Sequence, residues 1–339
     1  MIRTLFGVAS AAVLTLALAG CETPSASPPG AAPPAPTPPA RSGPLDLLGG
    51  ADGGEEACEG DVVTRGGQRF LALADGSLVT RAPLAVRADG APRAYHPDGF
   101  EAGAILHRCN AGEVHLPDGT RYIGGASEAA CQRFERDVAR IEAAGWEDGT
   151  VGAVRWFGIA AEGSARVAGR LVPRVRPVTR EDGFHVSRTA LRDETRGADD
   201  PDAYPDATGV PYAMTRRDQD VALGSFGVAW RVRACPPARA CEPVPFVVAG
   251  RGPRVGAGSI ALARAASGLP PAGELTRRTR YRGQTERADL LTVFFGGEGA
   301  AFDAATTTAE AEAAFEAWGG RDRLNACRRV FVPEADGER

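Results

Sequence analysis

Seven cysteines punctuate the 339-residue chain: Cys21, Cys58, Cys109, Cys131, Cys235, Cys241 and Cys327. Six remain once Cys21 is set aside, and an even remainder suits disulfides in an oxidising compartment. Six cysteines permit ~15 connectivities. Only Cys235 and Cys241 are close enough in sequence to pair on spacing, so the partners of Cys58, Cys109, Cys131 and Cys327 stay open. Metal chemistry has no support in the spacing, because no C-x-x-C pair occurs and His96, His107, His115 and His185 show no zinc-ligand pattern beside cysteines. Neither a metal nor any other cofactor is expected. His185 and Ser187, two apart on a strand, would share a face and could serve a Ser-His-Asp hydrolase, yet no G-x-S-x-G elbow accompanies them. The stretch from Gly250 to Ser259 is a glycine-rich loop leading into a helix, without the Gly-Lys-Ser/Thr ending of a phosphate loop. Its Arg251 and Arg254 lie beside a helix N-terminus, whose free N–H groups favour anions.

Cys21 is set aside because of what precedes it. Arg3 is followed by an uncharged apolar run from Leu5 to Leu18, and then by Leu18, Ala19, Gly20 and Cys21. That order matches a secretory signal, and the small-residue box resembles the one cut by the bacterial lipoprotein peptidase. Residues 1–20 are therefore expected to be removed and Cys21 acylated. The run is shorter than the ~20 apolar residues of a spanning helix. In a Gram-negative cell, Glu22, where an inner-membrane retention signal would place Asp, would imply the outer membrane. From Cys21 to residue 54 the chain is dominated by Pro, Ala, Ser and Gly, a composition too poor in apolar surface to fold, and reads as a tether. The expected location is the cell envelope, with the lipid as the membrane attachment.

The remaining residues, 55–339, suit one large domain. Net charge is −4, spread without long single-sign blocks, which argues against nucleic acid as a partner. Short β-rich runs at Arg69–Leu73, Ser77–Arg81, Leu84–Arg87, Val151–Ile159, Arg166–Val178, Phe226–Val232, Pro245–Val248 and Asp289–Phe295 alternate with Gly, Pro and Asp turns. Val228, Trp230 and Val232 alternate with Ala229 and Arg231, as in a strand with one buried face. Helices are fewer. The clearest runs over Glu128–Ala144, capped by Ser127 and stopped by Gly145, with Cys131, Phe134, Val138 and Ile141 on one face and Arg133, Arg136, Asp137 and Arg140 on the other. A second covers Thr307–Trp318 within a helical segment 303–326, and a short third follows Ser259. Asp193–Gly209 reads as a long surface loop. The expected class is mainly β (α+β), a β-barrel-like core with a few peripheral helices.

One family resemblance runs through this pattern in order. The stretch from Ala85 through Asp89 and Gly90 to Tyr95, His96 and Pro97 resembles the opening motif of the fungal-type chitosanases, glycoside hydrolase family 75. Asn110 to Gly112, Gly183 to Leu191, Val210 to Tyr212, Gly252 to Leu262 and Asp289 to Gly296 resemble its later blocks, with an insertion around Glu128–Ala144. The resemblance implies a β-barrel core and inverting hydrolysis of a glucosamine polymer, which needs one carboxylic acid and one carboxylate. The family's motif places these where this chain has Gly250 and Ala257. Arg87 likewise stands where one of a pair of aspartates belongs, whereas Asp89 matches.

Each general acid or base contributes ~10²–10⁴-fold, so losing both would leave little activity unless other carboxylates act instead. Asp89, Asp98 and Asp220 are the candidates for replacement. Tyr95, His96 and Ser259, with Arg251 and Arg254, are candidate ligand contacts. Three functions stay open: a non-catalytic chitosanase-like domain binding a polysaccharide or an envelope partner, an active hydrolase with relocated carboxylates, and a structural scaffold lipoprotein.

Overall fold

The computed structural model describes residues 58–232, 241–252 and 255–331, all within the unit Gly50–Arg339. The leader, Cys21, the tether, Cys235 and Arg254 lie outside the described residues. In chain order the strands are β1 (Gly60–Arg65), β2 (Gln68–Leu73), β3 (Leu78–Arg87), β4 (Gly112–His115), β5 (Arg121–Ile123), β6 (Ala153–Trp156), β7 (Ala161–Val167), β8 (Arg170–Pro177), β9 (Tyr212–Thr215), β10 (Phe226–Arg231), β11 (Val244–Arg251), β12 (Ala257–Ser259) and β13 (Thr285–Phe294). The helices are α1 (Glu128–Ala143), α2 (Ile260–Ala266), α3 (Thr307–Trp318) and α4 (Gly320–Phe331).

Six strands close into a barrel in the order β3-β12-β9-β11-β10-β13, with β13 pairing back onto β3. Two pairs, β9 with β11 and β3 with β12, are parallel, and the others are antiparallel. Strand alternation sorts the side chains into three apolar layers. One layer combines Leu78, Ala82, Leu84, Ala213, Ala229, Phe246, Val248, Leu290 and Phe294 with Leu262, Ala263 and Ala266 of α2. The alternate residues of β9, β11 and β12 pack in a second layer with Phe134, Val138, Ile141 and Trp156. Those of β3, β10 and β13 pack in a third with Phe315, Trp318 and Leu324 of α3 and α4.

This sorting corrects several sequence expectations. The run Val228–Val232 has both faces covered, since Ala229 is as buried as Val228. The two runs Ser77–Arg81 and Leu84–Arg87 are one strand, β3, continuous through Pro83. Arg166–Val178 is a hairpin: Ala168 and Gly169 both take positive φ (47° and 77°) in the two-residue turn between β7 and β8, the geometry of a type I′ connection. Of Val151–Ile159 only Ala153–Trp156 pairs as a strand. The sequence reading missed β1, β4, β5, β9 and β12, most of them short.

Helix α1 begins at the expected cap, where the Ser127 hydroxyl accepts from Ala130 N–H, as N-cap residues do. Phe134, Val138 and Ile141 are buried on the expected face. Gly124 is fixed by this contact, because a Cβ there would stand 2.6 Å from the Phe134 ring. Asp137 departs from its expected exposed face and is buried, held by the Tyr122 hydroxyl at 2.6 Å and Arg140 at 2.7 Å. Two disulfides join described cysteines, Cys58 to Cys327 and Cys109 to Cys131. Cys241 is disulfide-bonded as well, while Cys235, its expected partner, is not among the described residues. Among the described residues no helix is long and apolar enough to cross a membrane.

Candidate functional site

Strand β9 lies between β11 and β12, and its Met214 is the register partner of Gly250 on one side and of Ala257 on the other. The two positions singled out by the sequence therefore flank a single residue. Strands stand ~4.8 Å apart, so the backbones of positions two strands apart are separated by ~9.5 Å. In this chain the space is apolar. A Cβ on Gly250 would meet Met214 Cε at 2.9 Å and Cγ at 3.1 Å. Met214 and Ala257 are buried in one layer with Tyr212, Val247, Ala249 and Ile260. Gly256, just before β12, has φ +88° and a Cβ there would overlap the Pro83 carbonyl. The loop thus needs glycine at this position for its own geometry.

Asp89 sits in the turn after β3, half-buried. Its Oδ1 accepts from the Tyr95 hydroxyl at 3.1 Å, and its backbone carbonyl accepts from the Tyr212 hydroxyl at 2.7 Å. Burial raises the Asp89 pKa above the ordinary carboxylate value, against the opposing pull of the Arg87 charge and the Tyr95 hydrogen bond. The Tyr95 and Tyr212 hydroxyls are pushed well above 10, first by their burial and then by the neighbouring carboxylate. The cluster is thus a carboxyl group with a raised pKa, hydrogen-bonded by one phenol at Oδ1 and by a second at its backbone carbonyl. A cavity of about 230 Å³ borders the same turn, lined by Ala91, Pro92, Arg93, Ile105 and Leu275 among others.

The other sequence candidates are spread over the fold. The Ser259 hydroxyl is fully buried and accepts from Tyr212 N–H and Leu262 N–H, joining β9 to the first turn of α2. Arg251 Nη1 donates to Thr215 Oγ1 at 3.2 Å and to the Arg216 carbonyl at 3.3 Å. His96 Nδ1 accepts from Asp98 N–H, and its ring meets Phe184 edge-on. Asp98 and Asp220 are exposed, the latter in a left-handed turn with φ 48°. His185 and Ser187 serve different partners. The imidazole Nδ1 meets Thr179 Oγ1 at 3.0 Å, and the Ser187 hydroxyl accepts from Gly90 N–H at 2.9 Å. Burial lowers the His185 pKa to about 3, with the Arg108 and His96 charges adding to it, so its imidazole is neutral.

Sequence reasoning missed Met214 and Tyr212. Nothing about a methionine in a short apolar run signals that it fills the space between two glycine-rich strands. Tyr212 was read only as part of a block preceding the central strands, though its hydroxyl reaches the Asp89 turn. No protein-family model matches the chain, and no curated protein matches it in sequence.

Proposed function

We propose that this chain is a lipid-anchored cell-envelope protein whose chitosanase-like barrel binds a polysaccharide without hydrolysing it. The observation that carries the reading is the Gly250–Met214–Ala257 row. Its two outer positions flank one residue, bear no carboxylate, and have the Met214 thioether packed against the first of them. General acid and base catalysis at these positions has no group to perform it. Asp89 is half-buried beside the buried Tyr95 and Tyr212, and the small cavity bordering its turn offers Arg93, Thr208 and Glu274, polar groups able to hydrogen-bond sugar hydroxyls. Calorimetric titration of the purified chain with a chitosan hexamer, alongside a reducing-end assay, tests the proposal: binding without release of new ends is expected. Release of new ends would favour a hydrolase, and neither binding nor release would favour a scaffold.

A second reading rests on Asp89 alone. A half-buried carboxyl with a raised pKa, hydrogen-bonded by a tyrosine, is the form a general acid takes. An active hydrolase with relocated carboxylates would use it as proton donor, and Asp89→Asn would then abolish hydrolysis while leaving sugar binding in place.

Attachment through Cys21 belongs to the same proposal. Cys21→Ala should give unprocessed or soluble protein on fractionation, since one lipidated residue is the only anchor read from the sequence. Processed, membrane-bound mutant protein would count against it.

A further inference from the structure

Three potential ligand atoms converge where α1 meets the short 3-10 helix Arg108–Ala111, with a Glu135 carboxylate oxygen beside one of them. His107 Nδ1, Cys109 Sγ and Cys131 Sγ all lie within 4.8 Å of one another. His107 Nδ1 stands 3.4 Å from Cys131 Sγ and 3.5 Å from Glu135 Oε1. A zinc ion with bonds of ~2.0–2.3 Å to nitrogen, oxygen and sulfur sets tetrahedral ligand–ligand edges of ~3.3–3.8 Å, which brackets both distances. Two further features point to a ligand. Glu135 Oε1 is buried with no hydrogen-bond partner, while its Oε2 is held by Arg108 Nε at 2.9 Å and Nη2 at 2.7 Å. That is the outer-shell support that ligating carboxylates receive. His107 Nδ1 also accepts from Cys109 N–H at 3.4 Å, a long bond that a metal at this nitrogen would replace.

We propose that His107, Cys109, Cys131 and Glu135 form a tetrahedral zinc site in the dithiol form of this chain, and that metal and disulfide are alternative states of the same cysteine pair. Access supports the exchange. Cys131 is half-buried in the wall of a cleft of about 780 Å³ shared with His107, Glu135, Arg136, Arg277 and Arg280, whereas Cys109, Cys58 and Cys327 are buried. A small dithiol entering the cleft supplies two electrons to the Cys109–Cys131 bond and is itself oxidised to a disulfide, leaving two thiols. Zinc binding then displaces the two thiol protons. In either state the link ties α1 to the Arg108–Ala111 segment.

The test uses the full chain carrying Cys235→Ser and Cys241→Ser, reduced by a small dithiol, freed of it without air, and titrated with Co²⁺ as a spectroscopic probe and with Zn²⁺. One equivalent of Co²⁺ should give tetrahedral d–d bands with thiolate charge transfer, which the oxidised chain should lack. Cys131→Ser and His107→Ala should abolish these bands, and Arg108→Gln should weaken Zn²⁺ binding by ~10–100-fold. Circular dichroism and alkylation mapping of each reduced sample report whether the fold persists and which pair has opened. A folded, Cys109/Cys131-reduced chain without the bands, or bands unchanged by Cys131→Ser, would overturn the assignment. Bands lost only on Cys58→Ser would overturn it as well, by placing the metal at the other pair.

Discussion

Gly250 and Met214 stand side by side on β11 and β9, and the Met214 thioether lies where a side chain at residue 250 would have to go. Packing thus couples residue 250 to its neighbour. Gly250→Asp should destabilise the chain by ~1–3 kcal/mol, because it forces the methionine aside and buries a carboxylate against apolar atoms. In a Met214→Ala background the same substitution should cost less. Urea unfolding of the four chains of this cycle gives the coupling; additive costs would mean that Met214 does not fill the position.

His185 should make the fold acid-sensitive. Its folded pKa of about 3 lies below the unfolded value of 6.5, so the unfolded chain binds the proton more tightly. The stability associated with its neutral form is complete above 6.5 and is lost as pH falls from 6.5 toward 3, by up to a few kcal/mol. Urea midpoints across that window should fall with acidification and flatten in His185→Gln. An equal slope in the variant would assign the acid sensitivity to other groups.

Asp89 has the opposite sign. Its folded pKa is raised above the ordinary 3.8, so its contribution is fully present below that value and is lost as pH rises through the folded pKa. Asp89→Asn keeps an acceptor for Tyr95 and removes the charge. Its melting temperature should match the parent's in acid and exceed it at neutral pH. A lower value at neutral pH would show that the carboxylate is stabilised by a partner outside this cluster.

The Cys58–Cys327 bridge spans 269 residues of sequence and fixes the segment before β1 against α4. Cys58→Ser with Cys327→Ser should lower stability by ~5–6 kcal/mol on the loop-entropy account, measured by denaturant unfolding in the absence of reductant. A change below ~1 kcal/mol would mean that the third apolar layer holds the two ends together without it.

The barrel strands β3, β10, β11 and β13 were legible in the sequence as β-rich runs set off by Gly, Pro and Asp turns. The clearest helix was legible through its cap, its glycine stop and the spacing of Phe134, Val138 and Ile141. β9 and β12 were not, because four and three residues are too few to establish a period; each is a strand because both neighbours pair with it. The turn at Ala168 and Gly169 was hidden by apolar and basic residues continuing on both sides. At the candidate site, Gly250, Ala257 and Asp89 were singled out only through the chitosanase resemblance. Met214, Tyr212 and the meeting of His107 with Cys109 and Cys131 arise from contacts between separate segments, which no local spacing encodes.

The central claim is that the row Gly250–Met214–Ala257 cannot hydrolyse a glycosidic bond. The most direct measurement is a reducing-end and mass-spectrometric assay of the purified full chain on chitosan, compared with Gly250→Asp/Ala257→Glu in a Met214→Ala background. The account predicts no new ends from the parent chain and measurable recovery in the restored variant, a part of the ~10²–10⁴-fold that each group contributes. Clear hydrolysis by the parent chain, abolished by Asp89→Asn, would contradict it and make Asp89 the proton donor of a working enzyme.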